Sequence, residues 1–124
     1  MAIHYNLANT LKLNNSVRTT NDPLLGDIVF FSNTTGPGHT LNHEGIVVTA
    51  PNAQGMVQFV DATGSEDVHL SQMNILMPTA NSISNPANGN SYIGSFCPPG
   101  AGNPCLAAPL FVGYGTIRDT TPAH

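Results

Sequence analysis

Short runs of β-branched and aromatic residues, cut apart by Gly, Pro and Asn, constrain this chain more than any other feature. Asp27-Ile28-Val29-Phe30-Phe31 follows Gly26, and Ile46-Val47-Val48 follows His43-Glu44-Gly45. Met56 to Ala62 carries Val57, Phe59 and Val60, Val68-His69-Leu70 starts a further run, and Phe111 to Ile117 closes the series. Runs this short and this rich in β-formers read as strands rather than helices. The segments between them, Thr34-Thr35-Gly36-Pro37-Gly38, Pro51-Asn52-Ala53-Gln54-Gly55 and Thr63-Gly64-Ser65-Glu66-Asp67, have turn chemistry. The spacing leaves room for hairpins but not for crossover helices, which favours an antiparallel sheet.

At the N-terminus the pattern changes. Ile3, Leu7 and Leu11 recur every fourth residue, with Leu13 beyond them, and predict a short amphipathic helix ending at Asn14-Asn15. The expected fold class is α+β: a short N-terminal helix and an antiparallel β-sheet of five to six strands. With 124 residues the chain is read as a single domain. Residues 1–22 form the helix and link, 23–77 the sheet core, 110–118 the closing strand and 119–124 a tail. Between them, residues 78–109 read as a long insertion loop. Its first part, 78–91, has few apolar anchors and reads as a mobile excursion.

Charge narrows the function classes. Only 8% of residues are charged, and the net charge is −4 with Lys12, Arg18 and Arg118 the sole cations. Three scattered cations cannot neutralise a phosphate backbone, so nucleic acid is excluded as a partner. No apolar run approaches the ~20 residues that span a bilayer. The first residues lack a basic stretch followed by an apolar one, so no signal peptide is read there. A surface of Asn, Thr, Ser and Gly instead suits an extracellular, cell-surface or periplasmic setting. Aromatics are 6% with no Trp, which disfavours a stacking platform. The sequence is silent on oligomeric state.

Cys97 and Cys105 flank Pro98-Pro99-Gly100-Ala101-Gly102-Asn103-Pro104, a loop whose ends can meet. A disulfide is the preferred reading, with a stabilisation of about 2–3 kcal/mol on the chain-entropy account. Free thiols are the main alternative. A zinc site needs four ligands, and no second Cys pair is present, so no metal is assigned. His39 and His43 lie four apart, but Pro37 and the glycines deny them a helix face. No cofactor is implied.

His43 is the first residue of an apolar strand, where a ring can be held rigidly and still face a cleft, as a general base requires. Asp61 lies on the next strand, where the 51–55 turn can bring it beside His43. Asp27 reads as a structural cap on the turn into its strand. Glu44 points away from His43 by strand alternation, and His69 reads as a residue of an exposed strand face.

Three of these motifs together resemble the NlpC-type cell-wall cysteine peptidases, small papain-like enzymes that cleave peptidoglycan stem peptides. Leu25-Gly26-Asp27-Ile28-Val29-Phe30-Phe31 is similar to their Pro-Gly-Asp-Leu-Val-Phe-Phe strand. His43-Glu44-Gly45-Ile46-Val47-Val48 resembles the strand that opens on the catalytic His. Phe59-Val60-Asp61-Ala62 stands where the family has Phe-Ile-His-Ala. The closing Phe111 to Ile117 run is similar to the family's last strand.

The resemblance covers residues 23–77 and 110–118. It implies a papain-like half-barrel with His43 as base and Asp61 as its orienter. A carboxylate can hold an imidazole tautomer as the third member of a triad does. The family's nucleophilic Cys, in an Asp-Cys-Ser-Gly-like helix before the Gly-Asp strand, has no counterpart here. The resemblance therefore implies one of two things: a C-terminal part of such a domain, or a domain that has lost its nucleophile. Its partners would be a peptidoglycan peptide or a Cys-bearing upstream segment. A non-catalytic module binding peptidoglycan peptides or a protein is the alternative function. In a permuted arrangement Cys97 would be the nucleophile, but Pro98-Pro99-Gly100 is a poor start for the helix that would lower its pKa.

Overall fold

The computed structural model describes residues 17–36, 38, 41–62, 68–94 and 105–116. The expected N-terminal helix, Cys97, His39 and the tail lie outside the described residues. Among the described residues six strands form one sheet: β1 (Val17–Arg18), β2 (Ile28–Phe31), β3 (His43–Val47), β4 (Val57–Ala62), β5 (Val68–Met73) and β6 (Phe111–Gly115). Their order across the sheet is β1-β6-β2-β3-β4-β5, and every pair is antiparallel. One helical turn, α1 (Ala107–Leu110), leads directly into β6. The α+β class with an antiparallel sheet is therefore observed.

The sheet is built outward from β2, all four of whose residues are buried. Val29 and Phe31 face one side with Val47, Val57, Phe59, Met73 and Tyr114, and this side is the main core. Ile93, Ala107 and Leu110, from the segment before β6, pack onto the same core. On the other side Ile28 and Phe30 meet Leu41 and Val112 in a smaller cluster. That outer face stays open further along, with Ile46, Val48, Val68 and Leu70 exposed. A groove of about 320 Å³ lies there, lined by Ile28, Glu44, Ile46, Val60, Ala62 and Val68 among others.

Two strand lengths differ from the sequence expectation, each for a local reason. β3 stops at Val47 because the N–H groups of Val48 and Thr49 both aim at the Gln58 carbonyl, at 3.0 and 3.4 Å. The Thr49 hydroxyl then accepts from the Gln58 N–H at 2.9 Å and replaces the next ladder bond. β5, read from sequence as a short strand beginning at Val68-His69-Leu70, runs on to Met73, since β4 offers it pairing partners from Ala62 back to Val57. The 51–55 turn forms as its residues imply. Asn52 Oδ1 accepts from the N–H groups of Gln54 and Met56 at 3.0 and 2.9 Å, and Gly55 takes a left-handed φ of 95°.

Residues 78–91 depart most from the sequence reading. They lack apolar anchors, but polar ones hold them. Asn74 and Asn90 are both fully buried. Asn90 Oδ1 accepts from the N–H groups of Asn74 and Ala108, at 2.7 and 3.2 Å. Its Nδ2 donates to the carbonyls of Met77 and Ala80, at 2.9 and 3.0 Å. Asn74 Nδ2 donates to Gln54 and Asn88. A buried amide satisfied at each donor and acceptor ties this loop to the residues after β5 and to α1.

At the end of the sheet holding β1, Asp27 joins three elements. It is ion-paired with Arg18, accepts from Thr116 Oγ1 at 2.7 Å and from the Leu24 N–H at 2.8 Å. This is the structural role expected of it, extended to β1, which the sequence reading did not foresee. Tyr114 is fully buried, and its hydroxyl has no hydrogen-bond partner among the described residues. Burial, with smaller contributions from Asp22 and Asp27, pushes its phenol above the ordinary range.

Candidate functional site

His43 is where the loop after β2 re-enters the sheet, and that loop is stapled by its own side chains. Asn42 Oδ1 accepts from the N–H and hydroxyl of Thr34 at 3.2 and 3.0 Å, and Ser32 Oγ accepts from the Leu41 N–H at 2.8 Å. Leu41, buried at the turn, sits at a φ of 51°, a left-handed conformation that costs a side-chain-bearing residue about 1–2 kcal/mol. The backbone entering His43 is thus fixed on both sides before the ring is placed.

In β3, His43, Gly45 and Val47 share the core face. Cross-strand register sets Gly45 against Asp61, so His43 reaches diagonally past the glycine to the carboxylate. Gly45 makes this possible. A Cβ there would sit 2.6 Å from Phe59 Cδ2 and 2.8 Å from the Val60 carbonyl. The vacancy admits the Phe59 ring, which packs tilted against Phe31 with centroids 5.3 Å apart, and the Phe31 centroid in turn lies 5.9 Å from that of His43.

The result is a buried polar line across three strands. His43 Nε2 lies 2.8 Å from Asp61 Oδ2, and Ser71 Oγ donates to Asp61 Oδ1 at 2.7 Å. His43, Asp61 and Ser71 are 8%, 5% and 8% exposed. A carboxylate accepts only, so the neutral ring donates its Nε2 proton to Asp61 and Nδ1 is left as the basic nitrogen. An imidazole in this state can take a proton from a thiol, a water or a substrate group that reaches Nδ1.

Both residues picked out for catalysis from the sequence, His43 and Asp61, are brought together on one face. Glu44 lies on the opposite face, lining the outer groove. Asp27 precedes the far end of β2, whereas Phe31 at the near end pairs with His43. His69 is exposed as anticipated, yet its register opposite Asp61 puts it on the site's own face, beside the carboxylate. Ser71 was missed. The alternation Ser71-Gln72-Met73 would have placed it inward had the strand been carried past Leu70.

Cys105 is 1% exposed and is not a free thiol. Cys97, the partner expected for it from the sequence, lies outside the described residues. Among the described residues no group of three or more His, Cys, Asp or Glu side chains could hold a metal ion. No helix among them is long and apolar enough to cross a membrane. No family model matches the chain, and no curated protein or solved structure matches it either.

Proposed function

We propose that this chain is the His/Asp half of an NlpC-type cell-wall peptidase site, on a papain-like half-barrel, without the thiolate that would complete it. The observation that carries this reading is the 2.8 Å contact between His43 Nε2 and Asp61 Oδ2, buried on one face of neighbouring antiparallel strands. A base with its tautomer fixed by a carboxylate is the part of such a site that needs rigid placement. The substrate class is a peptidoglycan stem peptide, and the setting outside the cytoplasm, as the low-charge surface suggests. The missing thiolate would come from a Cys-bearing segment that precedes this fold in the family.

Losing its nucleophile costs subtilisin roughly a millionfold in turnover, so the lone polypeptide is inert as a peptidase. One observation favours a second reading, a non-catalytic module binding stem peptides or a protein. Of the chain's two cysteines, Cys105 is buried and not free, and so cannot supply a thiolate to His43.

The test is incubation of the purified chain with a stem peptide, read by mass spectrometry for amide cleavage. No cleavage above the buffer control is expected. Cleavage that is abolished by Cys97→Ala would overturn the incomplete-site reading in favour of a permuted enzyme.

A further inference from the structure

Ser71 is the one polar side chain of the buried line that the proposed site does not yet use. It belongs to β5, two strands from His43, and its register partner is Phe59, not Asp61. It therefore reaches Asp61 diagonally from one side, as His43 does from the other. The two contacts use different oxygens of one carboxylate: Oδ1 accepts from Ser71 at 2.7 Å, and Oδ2 meets His43 at 2.8 Å. Ser71 comes from the interior of β5, and His43 opens β3 in register with Phe31 of β2.

The last torsion of an Asp side chain is broad, with no sharply staggered wells. A carboxylate held at one oxygen can swing about that contact, whereas one held at both cannot. The hydroxyl also satisfies Oδ1, which would otherwise be a buried acceptor with no donor from this site. A carboxylate so fixed keeps its Oδ2 lone pair on Nε2 and keeps the proton there. The ring nitrogen left basic is then Nδ1.

We propose that Ser71 is a positioning residue: its hydroxyl locks the Asp61 carboxylate so that His43 stays in the single tautomer with Nδ1 unprotonated. The proposal rests on reading His43 as a base oriented by Asp61. Among the described residues, Phe31 approaches His43 from β2 and Asp61 from β4, and β5 carries Ser71 and, across from Asp61, His69. Glu44, on the same strand, projects to the other face. A donor on Oδ1 thus acts on His43 through one carboxylate.

The experiment compares Ser71→Thr with Ser71→Val in the full chain. The two replacements have the same branched shape, and only the first keeps a hydroxyl. The readout is the tautomer of His43, from long-range nitrogen–proton NMR of the neutral ring, a signature that a merely structural role would leave unmoved. The wild type and Ser71→Thr show one tautomer, protonated on Nε2. Ser71→Val raises the Nδ1-protonated population about tenfold, the factor that about 1.4 kcal/mol represents. Should Ser71→Val not fold, Ser71→Ala is read the same way.

A folded hydroxyl-free variant with the wild-type tautomer ratio would overturn the role of Ser71. Equal shifts in Ser71→Thr and Ser71→Val would do the same, since the hydroxyl would then not matter. Asp61→Asn separates this from the underlying reading. An amide facing Nε2 can donate to it and favour the other tautomer. If Asp61→Asn leaves the tautomer unchanged, it is the His43–Asp61 reading itself that fails.

Discussion

Replacing Gly45 by Ala tests how the site is packed, because the structure states what the added methyl would meet. Its nearest neighbours would be Phe59 Cδ2 at 2.6 Å and the Val60 carbonyl oxygen at 2.8 Å. The aromatic ring is 0% exposed and packs tilted against Phe31, with centroids 5.3 Å apart. The carbonyl belongs to β4 and cannot move without opening the β3–β4 ladder. Forcing a methyl into such a space costs typically about 1–3 kcal/mol. At about 2.1 cal/mol/K of unfolding entropy per residue, a chain of this length loses about 4 °C of Tm per kcal/mol. A drop of about 4–12 °C in thermal unfolding followed by circular dichroism is therefore expected.

Gly26→Ala is the control. A Cβ there meets nothing within 4 Å, but the φ of 86° is left-handed, so its cost is conformational and about 1–2 kcal/mol. The two variants differ in a second readout. Gly45→Ala should also shift the His43 ring resonances, because the Phe59 ring that the methyl displaces packs on Phe31, which lies against His43, while Gly26→Ala should leave them in place. A Gly45→Ala protein with unchanged Tm and unchanged His43 resonances would refute the claim that the empty Cβ position admits Phe59 and shapes the site.

Other perturbations follow from the same structure. The Tyr114 phenol, raised by burial, ionises first in the unfolded chain, so its contribution is fully present below pH ~10 and is lost as pH rises further, by up to about 1.4 kcal/mol per pH unit. Urea titrations at pH 8 to 11 should show this fall in the wild type and a flatter profile in Tyr114→Phe, which also sheds an unpartnered hydroxyl and should not be less stable at neutral pH. Asn90→Ala strands the buried N–H groups of Asn74 and Ala108 at about 1–3 kcal/mol each, and should lower the urea midpoint more than loss of any exposed Asn in the same loop. Mass spectrometry of non-reduced protein should show a two-proton deficit from a Cys97–Cys105 bond; two freely alkylated thiols would exclude it.

The strands were legible where side chains alternate against a core. β2, β3, β4 and β6 each carry β-branched or aromatic residues on the buried face, and the turn chemistry of 51–55 fixed how β3 meets β4. That was enough to bring His43 and Asp61 together from sequence. β1 was not legible, because two residues carry no period and Arg18 is placed by its ion pair with Asp27. Nor was α1, where Pro109 in a four-residue turn argues against a helix, although the first turn has no N–H to lose. Asn74 and Asn90 read as loop composition. Amides that bond across 16 residues leave no local signature, and only the folded chain reveals them as anchors. Ser71 was hidden for a related reason: the apolar pattern of β5 fades, and pairing with β4 alone carries the strand past Leu70.

The central claim, a peptide-facing base at His43, is tested most directly by titrating the labelled chain with a peptidoglycan stem peptide and following backbone and imidazole resonances. The account predicts shifts concentrated on His43, Phe31, Asp61 and His69, at one end of the core face, and their loss in His43→Ala. Shifts confined to the outer groove of Ile46, Val60 and Val68, or none at millimolar peptide, would contradict it.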